Sequence, residues 1–182
     1  IQKNNYKELS IRRNQLEREK GSILKFVEEI EREKREAFMN SYNQVNFHFK
    51  SFFSKLTGGG VGSLEIQNPE DPFSGGLDIF IQFPGRSSRL VSGASGGERS
   101  VVAVSFIFAI QSLFPAPFYI FDEIDVHLDP YNAERLADLI VEQSEKSQFL
   151  VITLRDVIIK RATRVFGVYN ERGASKIVSI KI

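Results

Sequence analysis

The apolar run Phe118-Tyr119-Ile120-Phe121 leads directly into two acids, Asp122 and Glu123. A strand of that composition would deliver both carboxylates to its C-terminal end, the edge where open α/β sheets bind ligands. A hard divalent cation takes oxygen ligands and keeps several waters, so one strand-end carboxylate can hold it while its neighbour polarises an attacking water. Asp122 fits the first role and Glu123 the second. Two acids can equally cap a strand as the chain leaves the core, so the surroundings decide. They include Ser95-Gly96-Gly97-Glu98-Arg99-Ser100 at the head of a long apolar pattern. Paired glycines let backbone N–H groups approach a phosphate, a helix N-terminus carries partial positive charge, and Ser95 can add a hydroxyl. The competing reading of that segment is an ordinary helix entry with Ser95 as its cap.

A rival chemistry occupies the same residues. Gly93-Ala94-Ser95-Gly96-Gly97 fits the G-x-S-x-G nucleophile elbow, with Asp125 and His127 following in hydrolase order. An elbow needs a buried strand directly before its serine, whereas Gly85-Arg86-Ser87-Ser88-Arg89-Leu90-Val91 is largely polar. Triad acid and base also come from separate loops, not from one short segment. The phosphate-facing reading is therefore favoured over a serine hydrolase. No G-x-x-x-x-G-K-[ST] occurs, and Gly58 to Gly62 has no lysine following it, so tight ATP binding by this chain alone is not expected.

Other classes are narrowed by composition. Cysteine is absent and only His48 and His127 offer imidazole, which removes disulfides, thiolate zinc sites and cysteine nucleophiles and fits an intracellular protein. With 24 Lys and Arg against 23 Asp and Glu, the net charge of +1 gives no general attraction to nucleic acid or membrane. There is neither a transmembrane-length apolar run nor a signal-peptide pattern. The 182 residues suit one globular domain with an appendage, and because Ile1 falls inside a charged helical pattern the chain reads as a fragment.

The elements that must position these residues follow from periodicity. From Ile1 to about Leu56 there is no proline, and apolar residues recur every seven at Leu9, Leu16, Ile23, Ile30 and Ala37. That is a coiled-coil period. The second seam position is poor, with Arg12, Glu19, Phe26, Glu33 and Asn40, so a partner helix from elsewhere is expected. Residues 1–56 read as a coiled-coil or neck helix and 57–182 as a globular lobe. Thr57-Gly58-Gly59-Gly60 breaks the helix. Strands are predicted at Gly62–Gln67 and Leu77–Phe83, with a turn-rich loop at Asn68–Gly76 between them and a basic loop around Arg86 and Arg89 after them. Glu98–Phe114 fits a buried helix. Phe118–Phe121 and Phe149–Ile152 read as strands buried on both faces, joined through a helix at Tyr131–Ser144 of the length a parallel crossover needs. A helix at Asp156–Ala162 and strands at Val165–Tyr169 and Ser175–Ile180 complete an α/β fold with an antiparallel accessory part.

Taken together, Ser95-Gly96-Gly97-Glu98-Arg99-Ser100, Phe118 to Glu123 and Glu123-Ile124-Asp125-Val126-His127-Leu128-Asp129 resemble the ABC-type ATPases. Among these the chain is similar to the C-terminal half-head of structural maintenance of chromosomes (SMC) proteins. Leu56-Thr57-Gly58-Gly59-Gly60 and Pro69-Glu70-Asp71-Pro72-Phe73-Ser74-Gly75-Gly76-Leu77 match the prokaryotic and archaeal forms, and the resemblance covers essentially the whole chain. It implies the C-terminal lobe of a P-loop NTPase-like head, a parallel sheet with helices, and a returning coiled-coil helix. It implies Mg2+-dependent ATP hydrolysis with Asp122 at the metal, Glu123 as general base, and Ser95, Gly96, Gly97 and Glu98 at the nucleotide. Asp129 would lie in the D-loop that crosses a dimer interface. The implied partners are the N-terminal half-head of the same polypeptide, which holds the Walker A loop, a second head in an ATP-sandwiched dimer, a kleisin subunit, and DNA through the full complex. The implied location is cytoplasmic and chromosome-associated. Two departures stand out. Ala94 takes the place where the signature normally has Leu, and Val91-Ser92-Gly93 partly repeats the signature, leaving two registers for the loop. Leu154 replaces the switch histidine of transporters, as is usual in SMC proteins, which leaves Thr153 as a candidate γ-phosphate sensor. A coiled-coil DNA-repair ATPase and a non-catalytic assembly scaffold are the alternatives.

Overall fold

The computed structural model describes residues 2–181. Ile1, the expected first residue of the helix, lies outside them, as does the side chain of Ile180 in the last strand. The chain divides into two compact units, Ile1–Asn43 and Gln44–Ile182. The first consists of helix α1 (Gln2–Thr57) up to Asn43, and its polar surface bears i,i+4 ion pairs such as Arg13–Glu17 and Arg32–Glu36. Exposed pairs of this kind contribute only about 0.3–0.5 kcal/mol each. The heptad residues Leu9, Leu16, Ile23 and Ile30 are 46–71% exposed.

In the second unit α1 ends where expected. The Thr57 hydroxyl donates to the Phe53 carbonyl and accepts from the Gly60 N–H, and Gly59 N–H closes on the Ser54 carbonyl. Gly58 has φ +72°, the left-handed conformation that ends the helix and favours glycine, and the Arg135 guanidinium lies over it. Strands β1 (Val61–Ile66), β2 (Leu77–Gln82) and β3 (Arg89–Leu90) form an antiparallel sheet in that order. The two-residue β3 falls inside the stretch read from sequence as a loop, because two pairings with Phe80 and Ile81 leave no periodicity to detect. A 3-10 turn at Val91–Gly93 leads into α2 (Gly96–Leu113).

Strand β4 (Phe118–Asp122) pairs in parallel with β5 (Gln148–Ile152), from Phe118↔Gln148 to Asp122↔Ile152, through the crossover helix α3 (Pro130–Ser144). The short α4 (Asp156–Ile159) and the antiparallel hairpin β6 (Arg164–Glu171) and β7 (Ala174–Lys181) follow. The fold is α/β with antiparallel additions. Its core is aromatic: Phe108 of α2 meets Phe52 of α1, Phe121 of β4 and Phe149 of β5 at ring-centre distances of 5.9, 5.6 and 6.1 Å. Such pairs add about 0.5–1.5 kcal/mol beyond the area they bury.

One expectation is corrected. The β4–β5 pair is not buried on both faces. Phe121 is buried, but Phe118, Ile120, Leu150 and Ile152 are exposed. α2 covers one face, and among the described residues no element covers the other. α2 likewise leaves Ile107 and Ile110 exposed. A continuous apolar run reports that both faces avoid water, not which chain covers them.

Candidate functional site

Sheet and crossover bring the chemistry-bearing residues to one end. β4 ends at Asp122, and Glu123 leaves it with φ 50°, its N–H donating to the Ile152 carbonyl at 2.9 Å. A non-glycine residue in this left-handed region costs about 1–2 kcal/mol. The kink turns the chain off the sheet at once, and both carboxylates are exposed at the strand end. Among the described residues no group of three or more His, Asp or Glu side chains could hold a metal unaided.

The start of α2 is a capping box. The Ser95 hydroxyl accepts from the Glu98 N–H at 3.4 Å, and Glu98 Oε2 accepts from the Ser95 N–H at 2.8 Å. Glu98 Oε1 pairs with Arg86 and Arg89, each at 2.7 Å. The Ser95 backbone donor holds the Glu98 carboxyl below the ordinary glutamate value; burial opposes this, while the Ser95 side chain and the charges of Arg89 and Arg86 add to it. Of the serines at the head of the two registers, Ser95 is the one that caps the helix. Ser92 and Gly93 lie in the 3-10 turn, and Ser95 opens the helix. Arg99 fastens the turn, donating from Nε to the Ala94 carbonyl at 2.9 Å and from a terminal nitrogen to the Ser92 carbonyl at 3.0 Å. Ala94, where a leucine was expected, is buried.

The segment after Glu123 lies against this helix start. A Cβ on Gly97 would meet the His127 carbonyl at 2.9 Å, while one on Gly96 would meet nothing within 4 Å. Gly97 therefore permits backbone contact, and Gly96 faces open space. Asp129 caps α3, its two oxygens accepting from the N–H and the side-chain amide of Asn132 at 2.9 and 2.6 Å. Asp125 is 1% exposed; its Oδ2 accepts from the Thr153 hydroxyl at 2.6 Å and lies 3.6 Å from Arg155 Nε, while its Oδ1 has no partner among the described residues. Arg155 also donates to the Leu128 carbonyl at 2.5 Å and the Val126 carbonyl at 3.3 Å. Glu123, Asp125, Val126, Leu154 and Arg155 line one pocket. The serine-hydrolase arrangement is not assembled: Asp125 is bonded to Thr153, and a turn rather than a strand precedes Ser95.

Residues 2–176 match the family described as RecF/RecN/SMC N terminal domain. The chain belongs to the SMC family. It is 49% identical over 177 residues to the chromosome partition protein Smc of Pyrococcus furiosus, across 97% of this chain and 15% of that protein. It also superposes on the Smc head domain with an extended coiled coil from Pyrococcus furiosus, solved bound to the C-terminal domain of ScpA. The TM-score there is 0.92 at 48% identity, covering 98% of this chain and 45% of the other. A third relative was solved in work on ATP-driven dimerization and DNA-stimulated activation of SMC ATPases; it gives a TM-score of 0.76 at 45% identity, over 80% of this chain and 89% of that one.

In this SMC chain, then, Ser95–Gly97 and the segment from Glu123 to Asp129 adjoin through Gly97 and His127. Thr153 joins the same segment through Asp125. Sequence reasoning gave Arg155 no role, and gave Asp125 none beyond a rejected triad acid and a place in the Glu123–Asp129 motif. The signal available for Asp125 was its spacing, three residues beyond Asp122 in a segment otherwise leaving a strand. Nothing in the sequence marked Arg155, whose hydrogen-bond acceptors are backbone carbonyls and whose one acidic neighbour, Asp125, lies 30 residues earlier in the chain.

Proposed function

We propose that this chain is the C-terminal half of an SMC ATPase head, with residues 1–56 as the returning coiled-coil helix and 57–182 as the lobe. The observation that carries the reading is the parallel pair β4–β5: it ends in Asp122 and Glu123 and presents Phe118, Ile120, Leu150 and Ile152 as an uncovered apolar face. An N-terminal half of the same polypeptide, bearing the Walker A loop that this sequence lacks, would extend or cover that sheet. Among the described residues no helix is long and apolar enough to cross a membrane.

In this reading Asp122 would hold Mg2+, which would supply positive charge for the phosphate groups of ATP. Glu123 orients the attacking water and takes its proton as the water oxygen bonds to the γ-phosphorus and the bond to ADP breaks. Ser95, Gly96 and Gly97 face the γ-phosphate of an ATP held by a second head, so that two nucleotides are sandwiched between two heads and Asp129 lies at their interface. Glu98 holds that loop in shape through its cap and ion pairs. A kleisin subunit such as the ScpA bound by the Pyrococcus furiosus relative, and DNA reached through the complete assembly, complete the partner set of a chromosome-partition machine.

The test joins this chain with the matching N-terminal half. Magnesium-dependent ATP hydrolysis is expected, and Glu123→Gln should lower kcat about 10²–10⁴-fold while an ATP-bound dimer accumulates. Turnover at the wild-type rate in Glu123→Gln would overturn the assignment.

A further inference from the structure

The chain from Val126 to Leu128 is held by three consecutive carbonyls. Those of Val126 and Leu128 accept from Arg155, and that of His127 lies against Gly97 at a distance only glycine tolerates. Arg155 is itself ordered by its neighbours. Its N–H donates to the Thr153 hydroxyl oxygen at 3.0 Å, and its Nε faces Asp125 Oδ2, which also receives the Thr153 hydroxyl proton. Asp125, Thr153 and Arg155 thus bridge the turn after β5 to the turn after β4. The residue between the last two, Leu154, is 89% exposed and has no polar group.

We propose that Asp125, Thr153 and Arg155 form a latch that fixes the Val126–Asp129 backbone relative to Glu123 and the start of α2, giving the site a positioning device in place of a polar group at Leu154. Thr153 in this arrangement acts through Asp125, since its hydroxyl hydrogen is already donated and its oxygen already accepts. Among the described residues no donor reaches Oδ1 of Asp125, on a carboxylate that is 1% exposed, which leaves the latch one donor short of complete. A buried unsatisfied acceptor is costly, so the latch is a place where a further donor would tighten the segment.

The latch is structural geometry, whereas its kinetic consequence rests on the ATPase reading; two measurements separate them. In the assembled head, Thr153→Val removes the hydroxyl at nearly constant volume and Thr153→Ser keeps it. Amide exchange of residues 126–129 should accelerate about tenfold in Thr153→Val, the effect of losing one charge-assisted hydrogen bond, and stay near wild type in Thr153→Ser. Unchanged exchange in Thr153→Val, with thermal unfolding intact, would overturn the latch whether or not ATP is hydrolysed. If wild type turns over ATP, Thr153→Val should lower kcat about tenfold with KM within about twofold, and Thr153→Ser should restore it. A kcat within twofold of wild type in Thr153→Val would remove the latch from the catalytic cycle. A wild-type head that turns over no ATP would instead sink the functional reading and leave the exchange result standing.

Discussion

Glu98, expected at a nucleotide, is a carboxylate at a helix start held by its own chain. Both oxygens are engaged within the chain, by Ser95 on one side and by Arg86 and Arg89 on the other. Its folded pKa is depressed from the ordinary value of 4.5. The stabilisation it provides is therefore fully present above about pH 4.5 and is lost as the pH falls through the lower folded value. We expect acid unfolding followed by circular dichroism to show Glu98→Gln less stable than wild type at neutral pH, with the difference shrinking below about pH 4.5. A constant difference across that range would show that the cap does not depend on the charge. Glu123 differs in kind. Its exposure and positive φ are features a side chain needs in order to act outward from a strand end, and they are held at a cost in backbone strain.

Among elements, the contact between the start of α2 and the turn after β4 is the decisive one. Gly97 would be read from sequence as a flexible or phosphate-approaching residue, yet its immediate constraint is the His127 carbonyl. Gly97→Ala places a methyl group 2.9 Å from that backbone oxygen, well inside van der Waals contact, and the carbonyl belongs to a segment already clamped by Arg155. The variant is expected to lose about 1–3 kcal/mol of stability in urea unfolding, the range for overpacking a filled site, despite alanine being the better helix former. Gly96→Ala, facing open space, should lie within about 0.5 kcal/mol of wild type. Equal effects at the two positions would contradict the contact.

For the whole molecule, the uncovered face of the β4–β5 sheet determines what the lobe needs from outside. Fully burying an isoleucine contributes about 1.5–3 kcal/mol; Ile120 and Ile152 are 62% and 55% exposed, so covering both adds roughly that amount in total, enough to matter for assembly. Because Ile120 is 62% exposed and pairs with the uncharged Leu150, Ile120→Asn is expected to leave the far-UV spectrum of this chain unchanged and to abolish co-purification with the matching N-terminal half. Retained co-purification would mean that the face is not the joining surface.

Much of this was legible in the sequence. Glycines at 58–60 end α1, apolar runs place β4 and β5, and the spacing between them sets a parallel crossover, because each depends on local conformational preference or on periodicity along one chain. The acids at 122 and 123 and the Ser95 cap are also local, and so is their ordering into the motifs of an SMC head. What the tertiary structure decided are relations between segments far apart in the chain. Glu98 meets Arg86 and Arg89 from a preceding loop, Asp125 meets Thr153 across the crossover, and Arg155 meets carbonyls that carry no side-chain signature. The second face of the sheet could not be judged from composition either, since an apolar side chain reads alike whether its cover comes from the same chain or from another. The pair of acids at the end of β4 was visible from the first; that the turn after them is clamped between two other segments became visible only when backbone carbonyls, which every residue possesses, were brought to the few side chains able to hold them.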